Sequence, residues 1–239
     1  MDSEIEITAV IPVYNDRAAL EGAIPVSLRH LSLISDSFEL IIAEDGSSDG
    51  SAELVREFER RDPRVRLLHS DERLGRGRAL SRACMDARGS IFCYYDVDLA
   101  TDPEHISELI TYIRQGYGIA TGSRLLSGSM IARSGERELA SRGYNFLVRL
   151  ILRSRLHDHQ CGFKAFRREY LITLLPSVMA DHWFWDTEVL VRAQRAGWRV
   201  KEFPVRWRQG TGTTVKASDV MSMGLDILRL WWHLNVKKD

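Results

Sequence analysis

The sequence of 239 residues predicts an α/β fold, with helices on both faces of a mainly parallel, doubly wound sheet and an amphipathic helix at the C-terminus. Short apolar runs rich in β-branched residues alternate with amphipathic stretches through the first half of the chain, which is typical of βαβ units. Turn-forming residues follow these runs, as in the Asp/Gly/Ser cluster over residues 45–50. Because ligands of such sheets gather at the carboxyl ends of the strands, this edge is where we expect the functional site.

The apolar runs and the turn residues between them predict the bounds of each strand and helix along the chain. In the first half we predict strands over residues 5–13, 38–43, 65–69 and 91–95. The helices span residues 17–33, 51–60 and 78–87, and a further helix opens at Pro103. In the second half we predict a loop over 125–135, a helix over 136–153, a strand over 160–166, a helix ending near 196, a strand over 200–207 and a helix over 219–235. We expect a catalytic domain over residues 1–215 and a separate C-terminal helix over 216–239.

Composition and charge exclude several classes of protein. Lys and Arg number 33 and Asp and Glu number 33, so net charge alone does not drive binding to nucleic acid. Three cysteines cannot form a complete disulfide set, and we expect a reducing, cytoplasmic compartment. We expect no signal peptide in the acidic N-terminal segment and no membrane span, because no apolar stretch reaches about 18 residues.

Acidic or amide residues follow three of the first four predicted strands. Asn15 and Asp16 follow the first, Glu44 and Asp45 the second, and Asp96 and Asp98 the fourth. In a parallel sheet these positions share one edge, and two carboxylates spaced two residues apart on an extended segment point the same way. Such a pair suits a hard divalent cation, although Asp also occurs in solvated turns.

Two other nucleotide-binding classes lack their motifs in this chain. No Gly-x-Gly-x-x-Gly follows the first strand, and no Gly-x-x-x-x-Gly-Lys-Ser/Thr occurs, which argues against a dinucleotide oxidoreductase and a P-loop hydrolase. Instead, the short Gly75-Arg76-Gly77-Arg78 precedes the third helix.

Several further motifs occur together in a recognisable order. They are Pro12-Val13-Tyr14-Asn15-Asp16, Glu44-Asp45-Gly46-Ser47-Ser48-Asp49-Gly50, Leu74-Gly75-Arg76-Gly77-Arg78-Ala79, Asp96-Val97-Asp98, Gly122-Ser123-Arg124, Gln160-Cys161-Gly162-Phe163-Lys164 and Trp185-Asp186-Thr187-Glu188. In this order they resemble the family 2 glycosyltransferases of the GT-A fold, and within these the dolichyl-phosphate mannose and glucose synthases.

The resemblance implies a site for a nucleoside diphosphate sugar. By similarity, the donor-binding residues would be Pro12, Tyr14, Asp16, Glu44, Asp45, Arg76 and Asp96. Asp96 and Asp98 would hold Mg²⁺ or Mn²⁺ against the diphosphate. Two positions depart from the family: Asp16 replaces the usual glutamate, and Ala100 stands where some of these synthases have a glutamine ligand.

The resemblance also implies an acceptor. Arg124, Arg137 and Ser141 would bind the phosphate of a polyprenyl lipid, since a guanidinium fork beside a hydroxyl suits phosphate. Such a phosphate is mostly a dianion at neutral pH and needs no strong general base, whereas a hydroxyl acceptor needs one. Asp158, Asp186 and Glu188 are the candidates for that base. We expect Asp98 to be a catalytic residue, and Asp186 and Glu188 to orient the sugar or acceptor. By resemblance, the transfer would invert the anomeric centre.

The C-terminal helix and the overall activity each leave alternatives. Val220, Met223, Ile227, Trp231 and Leu234 form an apolar stripe, which predicts either a helix packed on the domain or one lying on the cytoplasmic face of a membrane. The expected activity is hexose transfer from a GDP-mannose or UDP-glucose type donor to polyprenyl phosphate. The alternatives are a family 2 transferase that extends a glycan at a hydroxyl, and a non-catalytic GT-A scaffold.

Overall fold

The structure is a computed structural model and describes residues 5–132, 135–208 and 217–236, with side chains except at 135–137 and 217–221. A seven-stranded sheet in the order β3-β2-β1-β4-β7-β5-β8 forms its centre. Its strands are β1 Ile7–Val13, β2 Phe38–Glu44, β3 Val65–Leu68, β4 Ile91–Tyr95, β5 Ile119–Ser123, β7 Phe163–Arg167 and β8 Val200–Pro204. All neighbours are parallel except β7, which runs antiparallel to both β4 and β5.

Eight α-helices, two short 3₁₀ helices at Pro103–His105 and Leu175–Ser177, and a small second sheet complete the described part of the chain. The helices are α1 Arg17–Ser32, α2 Ser51–Arg61, α3 Arg76–Asp86, α4 Ile106–Arg114, α5 Gly135–Leu152, α6 Arg168–Leu174, α7 Trp185–Arg195 and α8 Ala217–Asn235. The second sheet pairs β6 Met130–Ala132 with β9 Arg206–Arg208. No helix among the described residues combines the length and the hydropathy needed to cross a membrane.

Side chains that point alternately to the two faces of the main sheet form an apolar core on each face. In β1, Ile7, Ala9 and Ile11 pack on one face with side chains of α1, α2 and α4, whereas Val10 packs on the other with α3, α6 and α7. Side chains of successive strand residues point to opposite faces, so a strand buried on both faces is apolar throughout. The predicted doubly wound α/β fold is confirmed.

The structure differs from the sequence prediction mainly in the second half. The predicted strand over 200–207 is two strands, because the chain leaves the main sheet after Pro204 and pairs with β6. β6 lies within the predicted loop, where three residues are too few to show a periodicity. β5 and α6 were not predicted, and α3 begins at Arg76 rather than 78, after Gly75 with a φ of 103°.

A third apolar cluster joins α5, α7 and α8. Tyr144, Val148 and Leu152 of α5 meet Phe184 and Val191, and Met223, Ile227 and Leu230 of α8 complete the cluster. Within the predicted apolar stripe of α8, Met223 and Ile227 are buried, but Trp231 is 41% exposed and Leu230 takes its place. Val220 lies among the side chains that are not described. One face of α8 therefore packs against α5 and α7.

α5 is also joined to the loop before β7 by Asn145. Its Oδ1 accepts from the backbone N–H of His159 at 2.9 Å and from His159 Nδ1 at 2.7 Å, and Ser154 Oγ donates to His159 Nε2 at 2.7 Å. Burial lowers the pKa of His159 to about 3, so the ring is neutral with its hydrogen on Nδ1.

Candidate active site

The centre of the site is a pair of ion pairs made by Arg76. Arg76 lies in the first turn of α3. Its Nη2 donates to Oδ1 of Asp96, the residue directly after β4, at 2.8 Å. Its Nη1 donates to Asp186 Oδ2, in the first turn of α7, at 2.5 Å. The Arg76 side chain is only 12% exposed, whereas that of Asp96 is 45% exposed. One guanidinium therefore ties the end of the central strand to the start of two helices.

Asp186 is held by three protein groups. Besides Arg76, Lys164 Nζ of β7 donates to its Oδ1 at 2.7 Å, and the Tyr94 hydroxyl donates to the same oxygen. Burial acts to raise the pKa of Asp186, but the charges of Lys164 and Arg76 outweigh it and hold the pKa below its usual value. The carboxylate stays ionised at neutral pH, but both of its oxygens already accept hydrogen bonds from protein groups, so neither is free to take a proton from a substrate.

Asp96 and Asp98 form the acidic pair that was predicted at the end of the fourth strand. Asp98 remains only partly exposed to solvent, and its Oδ1 accepts from the backbone N–H of Ala100 at 3.0 Å. Burial, followed by the negative charges of Asp96 and Asp16, raises the pKa of Asp98. The neighbouring negative charges are the smaller part of this rise, and a cation beside Asp96 and Asp98 would offset them.

The carboxylate oxygens of Asp96 and Asp98 fit a divalent cation that is also coordinated by a bound substrate. No group of three His, Cys, Asp or Glu side chains in the described ranges is arranged around a common point for a metal. Mg²⁺ commonly uses one or two carboxylates and completes its shell with water and substrate phosphates. Asp96 and Asp98 match that pattern, and Ala100 offers no side-chain ligand.

Gly162 is a site residue that the sequence analysis did not assign. A Cβ atom at this position would lie 2.1 Å from Asp96 Oδ2 and 2.5 Å from Oδ1. The carboxylate therefore lies against the bare Cα of Gly162. The glycine within Gln160-Cys161-Gly162-Phe163-Lys164 was the signal that could have identified it.

The residues predicted to bind the sugar donor differ in how many hydrogen bonds their side chains already make within the protein. Asp45 is buried, and its two oxygens accept from the backbone N–H groups of Leu74 and Gly75 at 2.8 and 2.9 Å. Glu44 is also buried, and accepts from the Ser47 N–H and contacts His69 Nδ1. Both carboxylates thus shape the loops at this edge of the sheet, a role that the sequence did not indicate.

Of the predicted nucleoside-binding residues at and after the end of β1, Tyr14 lines an open cleft. Pro12 is half-buried opposite Ala43 of β2, and Asp16 caps α1 by accepting from the Ala19 N–H at 3.4 Å. Tyr14 lines the cleft, with the Arg73 guanidinium 4.0 Å from the centre of its ring.

The cleft has a volume of about 760 Å³ and lies between Tyr14, the loop over residues 179–184 and the polar side of α8. Asp96 and Asp98 are not among its lining residues in the described part of the chain. Arg76 connects the two regions, because its guanidinium lies 5.8 Å from the ring centre of Trp183, which lines the cleft.

The acceptor prediction needs a correction at Arg124. Its backbone N–H, Nε and Nη2 all donate to the buried Asp158, at 3.0, 2.7 and 3.0 Å. Burial opposes ionisation of Asp158, but the Arg124 charge holds its pKa well below the usual range. The expected free guanidinium fork is therefore already paired. The Arg137 side chain lies outside the described residues, and Ser141 has a buried Oγ that finds no hydrogen-bond partner within them.

Glu188 also differs from its predicted role in orienting the sugar or acceptor. Its Oε2 accepts from the backbone N–H groups of Met179 and Ala180 at 3.0 and 2.9 Å, and Oε1 accepts from Arg192 Nε at 2.8 Å. Glu188 is 1% exposed and lines the cleft while fixing the loop above it. The sequence did not indicate these bonds, because it shows neither the loop nor its free N–H groups.

Comparisons with known proteins identify the family of this chain. The sequence model of the family described as "Glycosyl transferase family 2" matches residues 8–175. The chain is 49% identical over 237 residues to "Glycosyltransferase AglD" of Haloferax volcanii, covering 98% of this chain but only 38% of that protein. It is 30% identical to "Dolichyl-phosphate beta-glucosyltransferase" of Dictyostelium discoideum, covering 95% of this chain and 74% of that one.

Solved structures show the same fold. Glucosyl-3-phosphoglycerate synthase of Mycobacterium tuberculosis, in complex with Mn²⁺, UDP and glucosyl-3-phosphoglycerate, has a TM-score of 0.67 at 19% identity, covering 98% of this chain and 81% of that chain. The mannosyltransferase PcManGT of Pyrobaculum calidifontis, in complex with GDP-Man and Mn²⁺, has a TM-score of 0.66 at 18% identity, covering 100% and 66%. This chain belongs to glycosyl transferase family 2 and is a glycosyltransferase with a GT-A fold.

Proposed function

We propose that the protein transfers a hexose from a nucleoside diphosphate sugar to the phosphate of a polyprenyl lipid, with inversion and with a divalent cation. Relatives named dolichyl-phosphate beta-glucosyltransferases support this acceptor and favour glucose as the sugar. Structural neighbours that hold Mn²⁺ with UDP or GDP-mannose support the donor class and the cation.

The observation that carries the choice of acceptor is the state of the three carboxylates considered as general bases. Asp158 is paired with Arg124, Asp186 with Arg76 and Lys164, and both oxygens of Glu188 are hydrogen-bonded. A hydroxyl acceptor needs such a base within hydrogen-bond reach. A phosphate monoester, with a second pKa near 6, is already mostly a dianion at neutral pH and attacks without one.

In this proposal, residues at the strand ends position the donor. Asp96 and Asp98 would hold Mg²⁺ or Mn²⁺, which when bound neutralises the charge that develops on the departing diphosphate. Pro12, Tyr14 and Asp16 would contact the nucleoside. Attack by an acceptor oxygen on the face of the sugar opposite the diphosphate inverts the anomeric carbon.

The acceptor phosphate would lie near Arg137 and Ser141. The buried Oγ of Ser141, which has no hydrogen-bond partner among the described residues, supports this placement, because a buried hydroxyl without a partner is costly. Arg124 would act by holding Asp158 and the loop before β7 rather than by presenting a free fork.

We further propose that the protein works at the cytoplasmic face of a membrane. The faces of α5 and α8 opposite their shared core carry exposed large apolar side chains: Leu139, Phe146, Leu147, Leu150, Leu225, Leu228, Trp231, Trp232 and Val236. Exposed arginines flank them, Arg149 in the last turn of α5 and Arg153 directly after it. Amphipathic helices with tryptophan and basic residues bind the headgroup region of bilayers.

The direct test offers labelled UDP-glucose and GDP-mannose to the purified protein with Mn²⁺, against polyprenyl phosphate and against soluble saccharides. We expect labelled lipid from one donor, and none from the Asp98→Asn variant. Product with saccharides alone would refute the lipid acceptor and favour glycan extension. Binding of nucleotide without turnover under every condition would favour a non-catalytic scaffold.

A further inference from the structure

Arg76 is hydrogen-bonded to Asp96, one of the two carboxylates that are expected to bind the metal. It donates to Asp96 Oδ1 at 2.8 Å, and the backbone of Gly162 covers another side of that carboxylate. A cation that reaches Asp96 must therefore share or replace the contact with Arg76. The arginine cannot leave the site entirely, because Nη1 is bound to Asp186.

We propose that Arg76 is an internal counter-ion: it occupies Asp96 in the free protein, gives up that carboxylate when a divalent cation binds, and then donates from Nη2 to the donor diphosphate. The inference rests on the proposed function for the identity of the cation and donor. It adds an order of events and a source of cooperativity that the proposed function does not contain.

Asymmetric anchoring supports this movement. Asp186 is fixed by Lys164 and by the Tyr94 hydroxyl and is almost fully buried, so the Nη1 end of the fork is the stationary one. Asp96 is half-exposed, so exchange of its partner needs little rearrangement. The guanidinium also lies over the rings of Tyr94 and Trp183, at 5.4 and 5.8 Å from their centres, which favours a cation throughout the exchange.

Charge balance gives the exchange a direction. In the free protein, the three carboxylates of Asp96, Asp98 and Asp186 face two cations, Arg76 and Lys164, which leaves one net negative charge. A divalent cation reverses that sign, and the released guanidinium then faces an anionic diphosphate. Cation and donor each favour the arrangement that the other needs, and such coupling is reciprocal between the two ligands.

The test measures Mn²⁺ affinity of the free protein by calorimetry and by electron paramagnetic resonance, without nucleotide. Removing the competitor with Arg76→Gln should tighten Mn²⁺ binding roughly tenfold, the equivalent of one charge-assisted hydrogen bond. With GDP or UDP present, the same variant should lose most of the increase in Mn²⁺ affinity that nucleotide gives to the wild type. A role limited to folding would not produce these opposite changes.

Arg78→Gln is the matched control, because it removes the same charge from the same helix at an exposed side chain whose partner is Asp181 at 3.6 Å. It should leave both quantities within about twofold. Unchanged or weaker Mn²⁺ binding in folded Arg76→Gln, or equal tightening in Arg78→Gln, would overturn the proposal, as would a wild type that binds no Mn²⁺.

If Arg76→Gln does not fold, the wild type provides a second measurement. The Arg76 Nε–H resonance should shift on addition of Mg²⁺ and again on addition of nucleotide, and a resonance insensitive to Mg²⁺ would refute displacement. Neither readout involves the acceptor, so failure of lipid-linked transfer and failure of this inference are distinguishable.

Discussion

Gly162 and Asp96 are in direct contact, the Cα of the glycine lying against the carboxylate at the end of β4. Lys164, two residues beyond the glycine, donates to Asp186 and to the Cys161 carbonyl. The antiparallel strand β7 thus brings one residue that shapes the acidic pair and another that neutralises the carboxylate paired with Arg76. The main sheet's one reversed strand is the element that assembles the site.

Gly162→Ala should impair the acidic pair more than the fold. The added methyl group would lie 2.1 Å from Asp96 Oδ2, so the carboxylate must move. We expect overpacking strain of about 1–3 kcal/mol and a fall in Mn²⁺ affinity of roughly tenfold or more. Calorimetric Mn²⁺ titration and thermal unfolding measure the two effects.

The control for this substitution is Gly22→Ala, in the exposed part of α1, where a Cβ meets nothing within 4 Å. It should raise stability by about 0.5–1 kcal/mol, because alanine is the better helix former. Normal Mn²⁺ binding by Gly162→Ala would show that Asp96 does not need its observed position.

Lys164→Met should destabilise the protein at neutral pH. Lys164 is fully buried and paired with Asp186 at 2.7 Å, so its loss leaves a buried carboxylate with one fewer cation. Breaking a buried pair of this kind costs about 3–5 kcal/mol. Urea unfolding measures the loss, with Lys201→Met as the control, because Lys201 is half-buried in β8 and lies over the ring of Tyr112. Equal stability of the two variants would contradict this assignment.

The acid stability of the protein should depend on Asp158. Because Arg124 holds the folded-state pKa of Asp158 below that of the unfolded chain, the pair stabilises the fold above the unfolded pKa of about 3.9. That stabilisation is lost as the pH falls from about 4 toward the lower folded value. Asp158→Asn should therefore cost more stability at pH 7 than at pH 3, which urea unfolding at the two pH values would show. A loss independent of pH would indicate that charge is not the cause.

Sequence patterns located the acidic edge because its signals are local. Asp96 and Asp98 follow a five-residue apolar strand, so both the strand and the direction of the pair are visible within eight residues. The contacts that decide how the site works are distant in sequence. Arg76 and Asp186 are 110 residues apart, and Arg124 and Asp158 are 34 apart. The periodicity of the sequence does not show which arginine pairs with which carboxylate.

The same limit explains the roles assigned to Glu188 and Asp45. An acidic residue that binds backbone N–H groups of a distant loop looks, in sequence, like one that awaits a substrate. The family resemblance identifies such positions as important without distinguishing these two uses. Only the donors seen at Met179, Ala180, Leu74 and Gly75 separate them.

The outer faces of α5 and α8 should determine binding to lipid vesicles. Trp232 and Leu150 are 55% and 63% exposed and make no part of the cluster that holds the two helices together. Trp232→Ser with Leu150→Ser should leave the melting temperature within a few degrees, but lower affinity for anionic vesicles roughly tenfold or more, because burial of each large apolar side chain is worth about 1.5–3 kcal/mol. Leu33→Ser, an equally simple change at a leucine 80% exposed after α1, is the control and should bind vesicles like the wild type. Vesicle flotation with purified protein measures the difference, and equal binding by all three proteins would exclude this surface as the site of membrane contact.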